Sequence, residues 1–502
     1  MQKRKIPATM ATQHPDHAAS PYWHTKPFIS TQDEAHEAFL AFFELGITEY
    51  KWDWEGKLVD ESVLERFFGE HFDFFKKHPL GVDRFLTYRL PNPKVETEFR
   101  IGRAFMNLAS AASVAKHFGL PTPPLFEVIL PMTETPEEIL ALQIAYQEMH
   151  RLKHPLYRLE SILTNLRVIP LFEQVQTIID SDAILKKYFS MYKKTFHKLP
   201  PYFRPYMARS DPALNSGMIA TVLAIKIALS RYKTLEAELE IPMYPVIGAA
   251  ALPFRGGISP LTVEHFANEY KGIKTTTIQS AFRYDFEKKQ VIDAITLLEK
   301  LFAKNTTASI APHIQKELQE IIALSESFYR KTIEQIAPLV NSMALHMPKR
   351  RERVQHIGLF GYSRGIGKVT LPRAITFTAS LYSLGIPPEF IGTGRTLKEL
   401  ARQGKAELLE TYYLNLKSDL QRAGAFVNKD ILAKLMKSSP VWKDVATDIA
   451  ETETYLGITF GPRTSEEKEH QKQTNTIFTH LHQGHAVKEY IEKAAILRQS
   501  LG

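Results

Sequence analysis

LRVIPLFE, Leu166 to Glu173, is the stretch that decides the fold, and YFRPYMARS, Tyr202 to Ser210, repeats its pattern. Each is a short run of apolar, aromatic or β-branched residues that ends in polar residues. Such a run is typical of a buried parallel strand, which tolerates charge only at its ends. The first run stops at Glu173, and the second leads into Asp211. We therefore expect two neighbouring strands that each carry a carboxylate at the carboxyl end.

The two carboxylates have two possible uses. Held together, they could bind a hard divalent cation such as Mg²⁺, which prefers oxygen ligands and keeps several waters. Alternatively, each acid caps the helix that follows it or faces solvent, which is the commoner use of a single carboxylate. The repetition of the pattern along the chain favours the metal site.

Six more strand-like runs alternate with helical patterns along the chain. They are Ile47 to Trp54, Arg84 to Leu90, Leu125 to Met132, Met243 to Ala250, Thr275 to Ser280 and His356 to Ser363. Eight strands separated by helices predict an α/β fold, namely a parallel (β/α)₈ barrel of the TIM type with many additional helices. The run at Tyr202 is the weakest of the eight because it contains a proline. The segment from Ala8 to Phe28 is rich in Pro and His, lacks periodicity and predicts a loop.

The domain organisation follows from the helical patterns outside the barrel units. Apolar residues at helical spacing predict a helical insertion at about 286–355 and a helical C-terminal region at about 365–502. The chain has no repeat of solenoid period and no low-complexity linker. We expect residues 1–502 to form a single elaborated barrel domain.

The composition is that of an ordinary globular protein. Hydrophobic residues make up 44% of the 502 residues and charged residues 24%. The absence of cysteine excludes disulfides, thiolate metal sites and cysteine nucleophiles. The N-terminus has no apolar signal region, and no apolar run reaches the roughly 18 to 20 residues that a membrane span needs. We expect a soluble cytoplasmic protein with no membrane partner.

The formal net charge of +8 raises the question of nucleic-acid binding. The densest basic run, KRRER from Lys349 to Arg353, is short, and no nucleic-acid-binding motif accompanies it. Dispersed positive charge can equally attract small anions into a cleft. We therefore expect no nucleic-acid partner and rank a basic helical scaffold or nucleic-acid-binding protein last among the hypotheses.

The active site of a (β/α)₈ barrel lies at the carboxyl ends of its strands. The residues expected there are Asp53, Glu55, Arg89, Thr133, Glu134, Glu173, Arg209, Asp211, Arg255, Arg283 and Arg364. Two carboxylates and several arginines indicate a metal-bound substrate with several negative charges, because the planar arginine fork binds phosphate or carboxylate bidentately. His14, which Pro15 biases towards an extended conformation, is a candidate general acid or base, or else an ordinary loop histidine.

Three glycine-containing segments could approach a ligand. In FRGG, Gly256 and Gly257 would let the backbone come close to a ligand beside Arg255. GYSRGIGKVT, 361–370, lacks the spacing and the final Ser or Thr of a P-loop, and GTGRT, 392–396, lacks the third glycine of a dinucleotide site. Neither predicts a nucleotide site. Arg364 or Lys368 could still contact an anion, and a structural role is equally open.

Taken together, the motifs ATQHPDHA, RLPNP, LPMTE, PLFE, ARSDPALNSG, FRGG and QSAFRYD resemble those of the short, archaeal-type phosphoenolpyruvate carboxylases. They span His14 to Arg283 in the order expected for that family. The resemblance implies carboxylation of phosphoenolpyruvate by bicarbonate to oxaloacetate and phosphate, with Mg²⁺ or Mn²⁺ as cofactor. It also implies a barrel fold and a homotetramer.

The resemblance assigns roles to eight residues. Glu173 and Asp211 resemble the metal ligands, His14 the catalytic histidine, and Arg255 a catalytic arginine of the glycine-rich loop. Arg89 and Arg283 resemble phosphate-binding arginines, and Gly256 and Gly257 belong to the same substrate-binding loop. Bicarbonate attack on phosphorus would form carboxyphosphate and leave an enolate, whose charge a metal can stabilise.

Two positions depart from the longer enzymes of the family. Ala249 stands where those enzymes have the arginine of a first glycine-rich unit, so one phosphate contact must come from elsewhere or be absent. Leu214 stands in place of a lysine of their aspartate-inhibitor site, so we expect weak inhibition by aspartate or malate. The alternative enzyme is another metal-dependent barrel lyase or aldolase acting on a 2-oxo acid, which would not need Arg89 and Arg283 together.

Overall fold

Eight short strands close into one parallel barrel in chain order. The structure is a computed structural model that describes residues 4–56, 59–96, 99–151, 165–352, 365–366 and 369–502. The barrel strands are β1 (Thr9–Thr12), β2 (Glu49–Asp53), β3 (Phe85–Arg89), β4 (Glu127–Leu130), β5 (Arg167–Phe172), β6 (Tyr206–Ala208), β7 (Val246–Gly248) and β8 (Thr275–Ile278). β1 pairs with both β2 and β8, which closes the barrel. A separate antiparallel pair consists of β9 (Gly365–Ile366) and β10 (Val369–Thr370).

Helices surround the barrel. Those within the βα units are α1 (Glu34–Phe43), α2 (Val63–Glu70), α3 (Phe72–Lys77), α4 (Arg100–His117), α5 (Pro136–His150), α6 (Val175–Ile179), α7 (Ser181–Phe196), α8 (Ser210–Ser216), α9 (Met218–Leu239), α10 (Val263–Glu269) and α11 (Ser280–Tyr284). The later ones are α12 (Lys288–Lys304), α13 (Pro312–Ala344), α14 (Ala374–Ser383), α15 (Thr393–Arg402), α16 (Ala406–Tyr412), α17 (Leu416–Gly424), α18 (Lys429–Ser438), α19 (Val441–Leu456), α20 (Ser465–Gln483) and α21 (Lys488–Leu497).

Successive side chains of β2 point alternately outward, to the core between barrel and helices, and inward, to the barrel interior. Tyr50 and Trp52 belong to the large core between the barrel and its helices, whereas Glu49, Lys51 and Asp53 belong to the opposite face, inside the barrel. The apolar part of the barrel interior is a smaller cluster formed by Met10, Ile129, Ile169, Leu171, Tyr206, Ala208 and Val246.

A buried ionic layer fills the amino-terminal end of the barrel. Arg204, which precedes β6, donates from Nη2 to Glu49 at 2.6 Å and from Nη1 to Glu127 at 2.8 Å. All three side chains are buried. Breaking such a buried pair by removing one partner is strongly destabilising, because it leaves an uncompensated charge.

The predicted fold class, an elaborated (β/α)₈ barrel, is confirmed. Seven of the eight predicted strands contain a barrel strand, and β6 is among the shortest of them, as the proline at its start would suggest. The eighth predicted strand, 356–363, lies outside the described residues. The prediction of a loop at the N-terminus was wrong for Thr9–Thr12, which forms β1. Four residues with two threonines are too short to show periodicity.

The regions outside the barrel units are helical in the described residues. α12 and α13 lie where the insertion at about 286–355 was expected, and α14 to α21 lie in the C-terminal region. The basic run at Lys349 turns inward, because Arg350 and Arg351 are each 3% exposed and Arg351 pairs with Glu34 and Glu37. Across the helices that the structure describes, none combines the length and apolarity of a membrane span.

Candidate active site

The barrel places the predicted site residues at the carboxyl ends of its strands. His14 lies two residues after β1, Arg89 ends β3, and Glu173 directly follows β5. Asp211 lies in the first turn of α8 after β6, Arg255 lies in a 3₁₀ turn after β7, and Arg283 lies in α11 after β8. The fold therefore brings all of them to one end of the barrel, and their side-chain contacts distinguish them further.

Arg89 is held by two carboxylates of the preceding βα unit. Its Nε donates to Asp53 Oδ1 at 2.7 Å, and its Nη1 lies 2.6 Å from Glu55 Oε2. Burial acts to lower the pKa of Arg89, but the charges of Asp53, Glu55 and Glu173 outweigh it and raise that pKa. Glu173 is thus close enough to Arg89 to act on its charge, so β3 and β5 contribute to one electrostatic site.

Lys51 is a member of this site that the sequence reasoning missed. It is 1% exposed, and its Nζ lies 3.5 Å from Asp53 Oδ1. Burial, followed by the charge of Arg89, lowers its pKa to about 8. The signal that could have found it is the alternation of Glu49, Lys51 and Asp53 in β2, since polar residues at every second position face one side of a strand.

His14 is a neutral imidazole in this environment. Its Nδ1 lies 2.8 Å from Thr12 Oγ1, and the side chain is half-buried. Burial, then the cations Lys51 and Arg89, hold the pKa of His14 well below its usual range. A neutral ring can accept a proton at neutral pH, which suits a general base.

The loop that carries His14 is fixed by α11. Asp16 Oδ1 accepts hydrogen bonds from Ser280 Oγ and from the backbone N–H of Ala281, both at 2.9 Å. Asp285 accepts from the backbone N–H groups of Ala18 and Ala19. These bonds tie the segment after β1 to the helix after β8, so the closure of the barrel positions His14.

Arg255 occupies a buried pocket with acceptors from four parts of the chain. Its guanidinium donates to Ser210 Oγ at 3.1 Å, to Gln279 Oε1 at 2.7 Å and to Asp16 Oδ2 at 3.3 Å, and it also contacts the Gly502 carbonyl. The side chain is 1% exposed, and burial lowers its pKa. In this structure Arg255 joins the ends of β1, β6 and β8.

The two glycines after Arg255 are required by the backbone. Gly256 has φ +121° and Gly257 has φ +72°, values that side-chain-bearing residues rarely adopt. A Cβ on Gly256 would lie 2.6 Å from the Ala249 Cβ. Ala249, which stands where an arginine was expected from the longer enzymes, is fully buried against this glycine. The loop therefore closes over the position that the missing arginine would need.

Two further residues support the FRGG loop through hydrogen bonds to its backbone, a role that the sequence did not predict for them. Arg209 donates to the carbonyl oxygens of Phe254 at 2.9 Å and Pro253 at 3.3 Å. Glu389, from the C-terminal region, accepts from the Phe254 backbone N–H at 2.8 Å and from Tyr382 Oη at 2.7 Å. Burial raises the pKa of Glu389 to about 7. No local sequence signal marks Glu389, because its target lies more than one hundred residues away in the chain.

Arg283 is turned towards α1 and β1. Its Nη2 donates to the Thr12 carbonyl at 2.8 Å and to Glu37 Oε1 at 3.0 Å, and the side chain is fully buried. Nε and Nη1 have no hydrogen-bond partner among the described residues. Nε and Nη1 therefore remain able to donate hydrogen bonds, whereas Nη2 already binds groups of the protein itself.

Glu173 and Asp211 supply the kind of oxygen donors that a divalent cation prefers. They follow adjacent strands, since β5 and β6 pair with Phe172 opposite Met207, and both acids are half-buried. Within the described ranges, no group of three or more His, Asp or Glu side chains is placed to hold a metal ion. Two carboxylates fit an Mg²⁺-type ion that keeps several waters and contacts its substrate.

The site is therefore that of a (β/α)₈-barrel enzyme whose rim combines a neutral histidine, buried cations and a pair of carboxylates. A sequence model of the family described as phosphoenolpyruvate carboxylase matches residues 6–502. The chain belongs to that family, and it is an enzyme of the carboxy-lyase class.

Relatives named phosphoenolpyruvate carboxylase cover nearly the whole chain. The protein of Oenococcus oeni is 36% identical over 504 residues, which cover 99% of each chain. That of Metallosphaera sedula is 38% identical over 517 residues, covering 99% of this chain and 100% of the relative. That of Pyrococcus furiosus is 39% identical over 442 residues, covering 86% and 90%. The predicted family is confirmed.

Arg364 and Lys368, for which an anion contact or a structural role was predicted, lie outside the described residues.

Proposed function

We propose that this chain carboxylates phosphoenolpyruvate with bicarbonate and releases oxaloacetate and phosphate. The observation that carries the proposal is the rim cluster in which Arg89, Lys51 and His14 act on one another electrostatically, in a chain that matches the family from residue 6 to residue 502. Phosphoenolpyruvate and bicarbonate are both anions, and buried cations at a barrel rim are suited to bind them.

Arg89 is the proposed phosphate-binding residue. Asp53 and Glu55 fix the plane of its guanidinium from one side. A fixed fork binds a phosphate at a smaller entropic cost than a mobile one, and it can orient phosphorus for in-line attack by bicarbonate.

His14 is the proposed base. Attack of a bicarbonate oxygen on phosphorus breaks the bond between phosphorus and the enol oxygen, which gives carboxyphosphate and the enolate of pyruvate. Neutral His14 then accepts the proton of the carboxyphosphate carboxyl group as carbon dioxide and phosphate separate. The nucleophilic carbon of the enolate attacks the carbon dioxide and forms oxaloacetate. The depressed pKa of His14 means that the ring is unprotonated at neutral pH, which is the form that a base requires.

Glu173 and Asp211 are the proposed ligands of Mg²⁺ or Mn²⁺. When bound, such an ion would neutralise negative charge that develops on the substrate oxygens. The two residues would hold that ion near Arg89, because Glu173 is close enough for its charge to act on that arginine.

Arg255, Arg283, Gly256 and Gly257 remain proposed substrate contacts. Arg255 would contact the substrate if a substrate oxygen replaced Asp16 or Gly502 as the acceptor of its Nη1. Arg283 would donate to the substrate from Nε or Nη1. The two glycines lack side chains and would let the substrate approach the loop backbone closely, while their own N–H groups donate to the carbonyl oxygens of Pro253 and Leu252 within the loop.

The test is phosphate release from phosphoenolpyruvate, with and without bicarbonate and with and without Mg²⁺. We expect release that needs both, yields oxaloacetate and falls by at least roughly a hundredfold in Asp211→Asn, since a metal ligand is lost. Asp73→Asn, an exposed acid of α3, is the matched control and should retain full activity. Metal-dependent release without bicarbonate would contradict the carboxylase reaction, and no release from folded protein would reject it.

The alternative, a lyase or aldolase acting on a 2-oxo acid, is not favoured by the family match. It predicts cleavage of a 2-oxo acid without any phosphate ester. The same assay separates the two reactions, because only the carboxylase releases phosphate.

The proposal includes four further properties of the protein, namely its oligomeric state, location, domain organisation and response to aspartate. The family resemblance supports a homotetramer, the composition without cysteine supports a cytoplasmic location, and the helical decoration supports one elaborated domain over 1–502. Weak inhibition by aspartate is supported by Leu214, whose side chain is fully buried where the longer enzymes have a lysine.

A further inference from the structure

A cavity of about 370 Å³ lies at the amino-terminal end of the barrel. Its wall includes Glu127 and Arg167, the first residues of β4 and β5. The candidate active site occupies the other end of the strands, so this cavity is not part of it. Nothing in the proposed reaction uses the residues that line it.

The wall of the cavity carries more positive than negative charge. Arg204 faces Glu49 and Glu127, while Arg4, Arg167 and Lys198 line the same space, which leaves an excess of two positive charges. Among the described residues, neither Arg4 nor Arg167 forms an ion pair with a carboxylate. The Nη1 of Arg167 is buried and lacks a hydrogen-bond partner in the described chain. Buried donors without partners are costly, and an anion would satisfy them.

Aromatic rings hold the two arginines in place. The guanidinium of Arg167 lies 4.4 Å from the ring centroid of Tyr202 and 5.5 Å from that of Phe126. The guanidinium of Arg4 lies 3.9 Å from the same Phe126 ring, and its Nε donates to the Gly81 carbonyl at 2.7 Å. Cation–π contacts of this kind fix the guanidinium planes and leave their nitrogen edges available to a ligand.

The charge of Arg167 also disfavours the charge of Arg4. Burial, followed by the neighbouring charge of Arg167, lowers the pKa of Arg4. An anion placed between like charges relieves their repulsion, so the cavity is better suited to a negatively charged ligand than to a neutral one.

We propose that this cavity binds a small organic or inorganic dianion whose acidic groups are carboxylates or phosphates. Two charges match the excess of two cations, and the volume lies near the lower end of the range for small-molecule sites, roughly 300 to 1,000 Å³. Guanidinium forks match both carboxylate and phosphate, so the shared chemistry is bidentate anion recognition. The proposal does not depend on the proposed reaction.

The test is isothermal titration calorimetry of the full chain with succinate in one arm and inorganic phosphate in the other. We expect binding in at least one arm, which weakens as salt is added. Arg167→Gln and Arg4→Gln should each weaken it roughly tenfold or more, since a charge-assisted contact is lost. Arg103→Gln, an exposed arginine on α4, should leave the affinity unchanged.

The probe that binds identifies the chemistry of the ligand. Binding of succinate alone assigns a dicarboxylate, and binding of phosphate alone assigns a phosphate ligand. Phosphate bound at the catalytic rim is recognised because Arg167→Gln and Arg4→Gln do not affect it. Equal affinity in the wild type and both variants, or no binding of either probe, overturns the proposal. Because Arg4 precedes β1, its variant carries the test if Arg167→Gln fails to fold, which thermal melting would reveal.

Discussion

Asp53 and Arg89 occupy the same register position in β2 and β3, and their side chains form an ion pair with 2.7 Å between Oδ1 and Nε. The direction of the guanidinium is therefore set by strand register, and Glu55 adds a second contact at 2.6 Å. A change in this pair should alter substrate binding, and it should also lower stability because Asp53 is fully buried.

Asp53→Asn keeps the size of the side chain and removes its charge. We expect the KM for phosphoenolpyruvate to rise roughly tenfold, because the charge-assisted bond that orients Arg89 is weakened. Steady-state kinetics measures this, with Glu238→Gln, an exposed acid of a surface ion pair, as control. An unchanged KM would show that Arg89 is oriented without Asp53.

Lys51→Met removes one of the cations that disfavour protonation of His14. The pKa of His14 should rise, because burial and Arg89 remain but the charge of Lys51 is gone. The acidic limb of the kcat/KM profile should move to higher pH, since the base is lost by protonation as pH falls. NMR titration of the His14 ring measures the pKa directly.

The control for that experiment is Lys187→Met, an exposed lysine that pairs with Glu137. It should leave both the profile and the His14 titration unchanged. A His14 pKa that stays constant or falls in Lys51→Met would contradict the electrostatic coupling.

Gly256→Ala should destabilise the protein by roughly 2 to 4 kcal/mol. The added Cβ meets that of Ala249 at 2.6 Å, and the residue has φ +121°. Urea unfolding measures the loss. Gly404→Ala, at φ +70° with open space around the new Cβ, should cost only about 1 kcal/mol. Ala249→Gly in the Gly256→Ala background should recover the steric part, and failure to recover any stability would refute the clash.

Glu389 makes the stability of the FRGG support depend on pH. Burial raises its pKa from 4.5 to about 7, so its contribution is fully present below pH 4.5 and is lost as pH rises through 7. Between pH 4.5 and 7, Glu389 should lower the unfolding free energy of the wild type by roughly 3 kcal/mol. We expect this fall to be absent in Glu389→Gln. Denaturant unfolding at a series of pH values measures it.

Glu334→Gln, on the exposed face of α13, is the matched control and should follow the wild type. An identical pH dependence in Glu389→Gln and the wild type would mean that the pKa of Glu389 is the same in the folded and unfolded protein, and the prediction would then be wrong.

The strands were predictable from the sequence because buried parallel strands are apolar runs bounded by polar residues. That pattern identified β5 and its end at Glu173, and it placed Arg89 at the end of β3. Both assignments depend only on residues that are neighbours in the chain. β1 was missed because Thr9–Thr12 is short and acquires strand conformation from pairing with β2 and β8.

The sequence by itself determined the barrel class, the family and the end of the barrel at which the site residues lie, because these follow from local patterns and ordered motifs. Only the tertiary structure decided which charges meet. It placed Lys51 beside Asp53 and Glu389 on the Phe254 N–H. It also placed three acceptors around Arg255, namely Ser210, Gln279 and Gly502. The physical reason is that electrostatic and hydrogen-bond partners are selected by distance in space, and the barrel joins residues that are hundreds of positions apart.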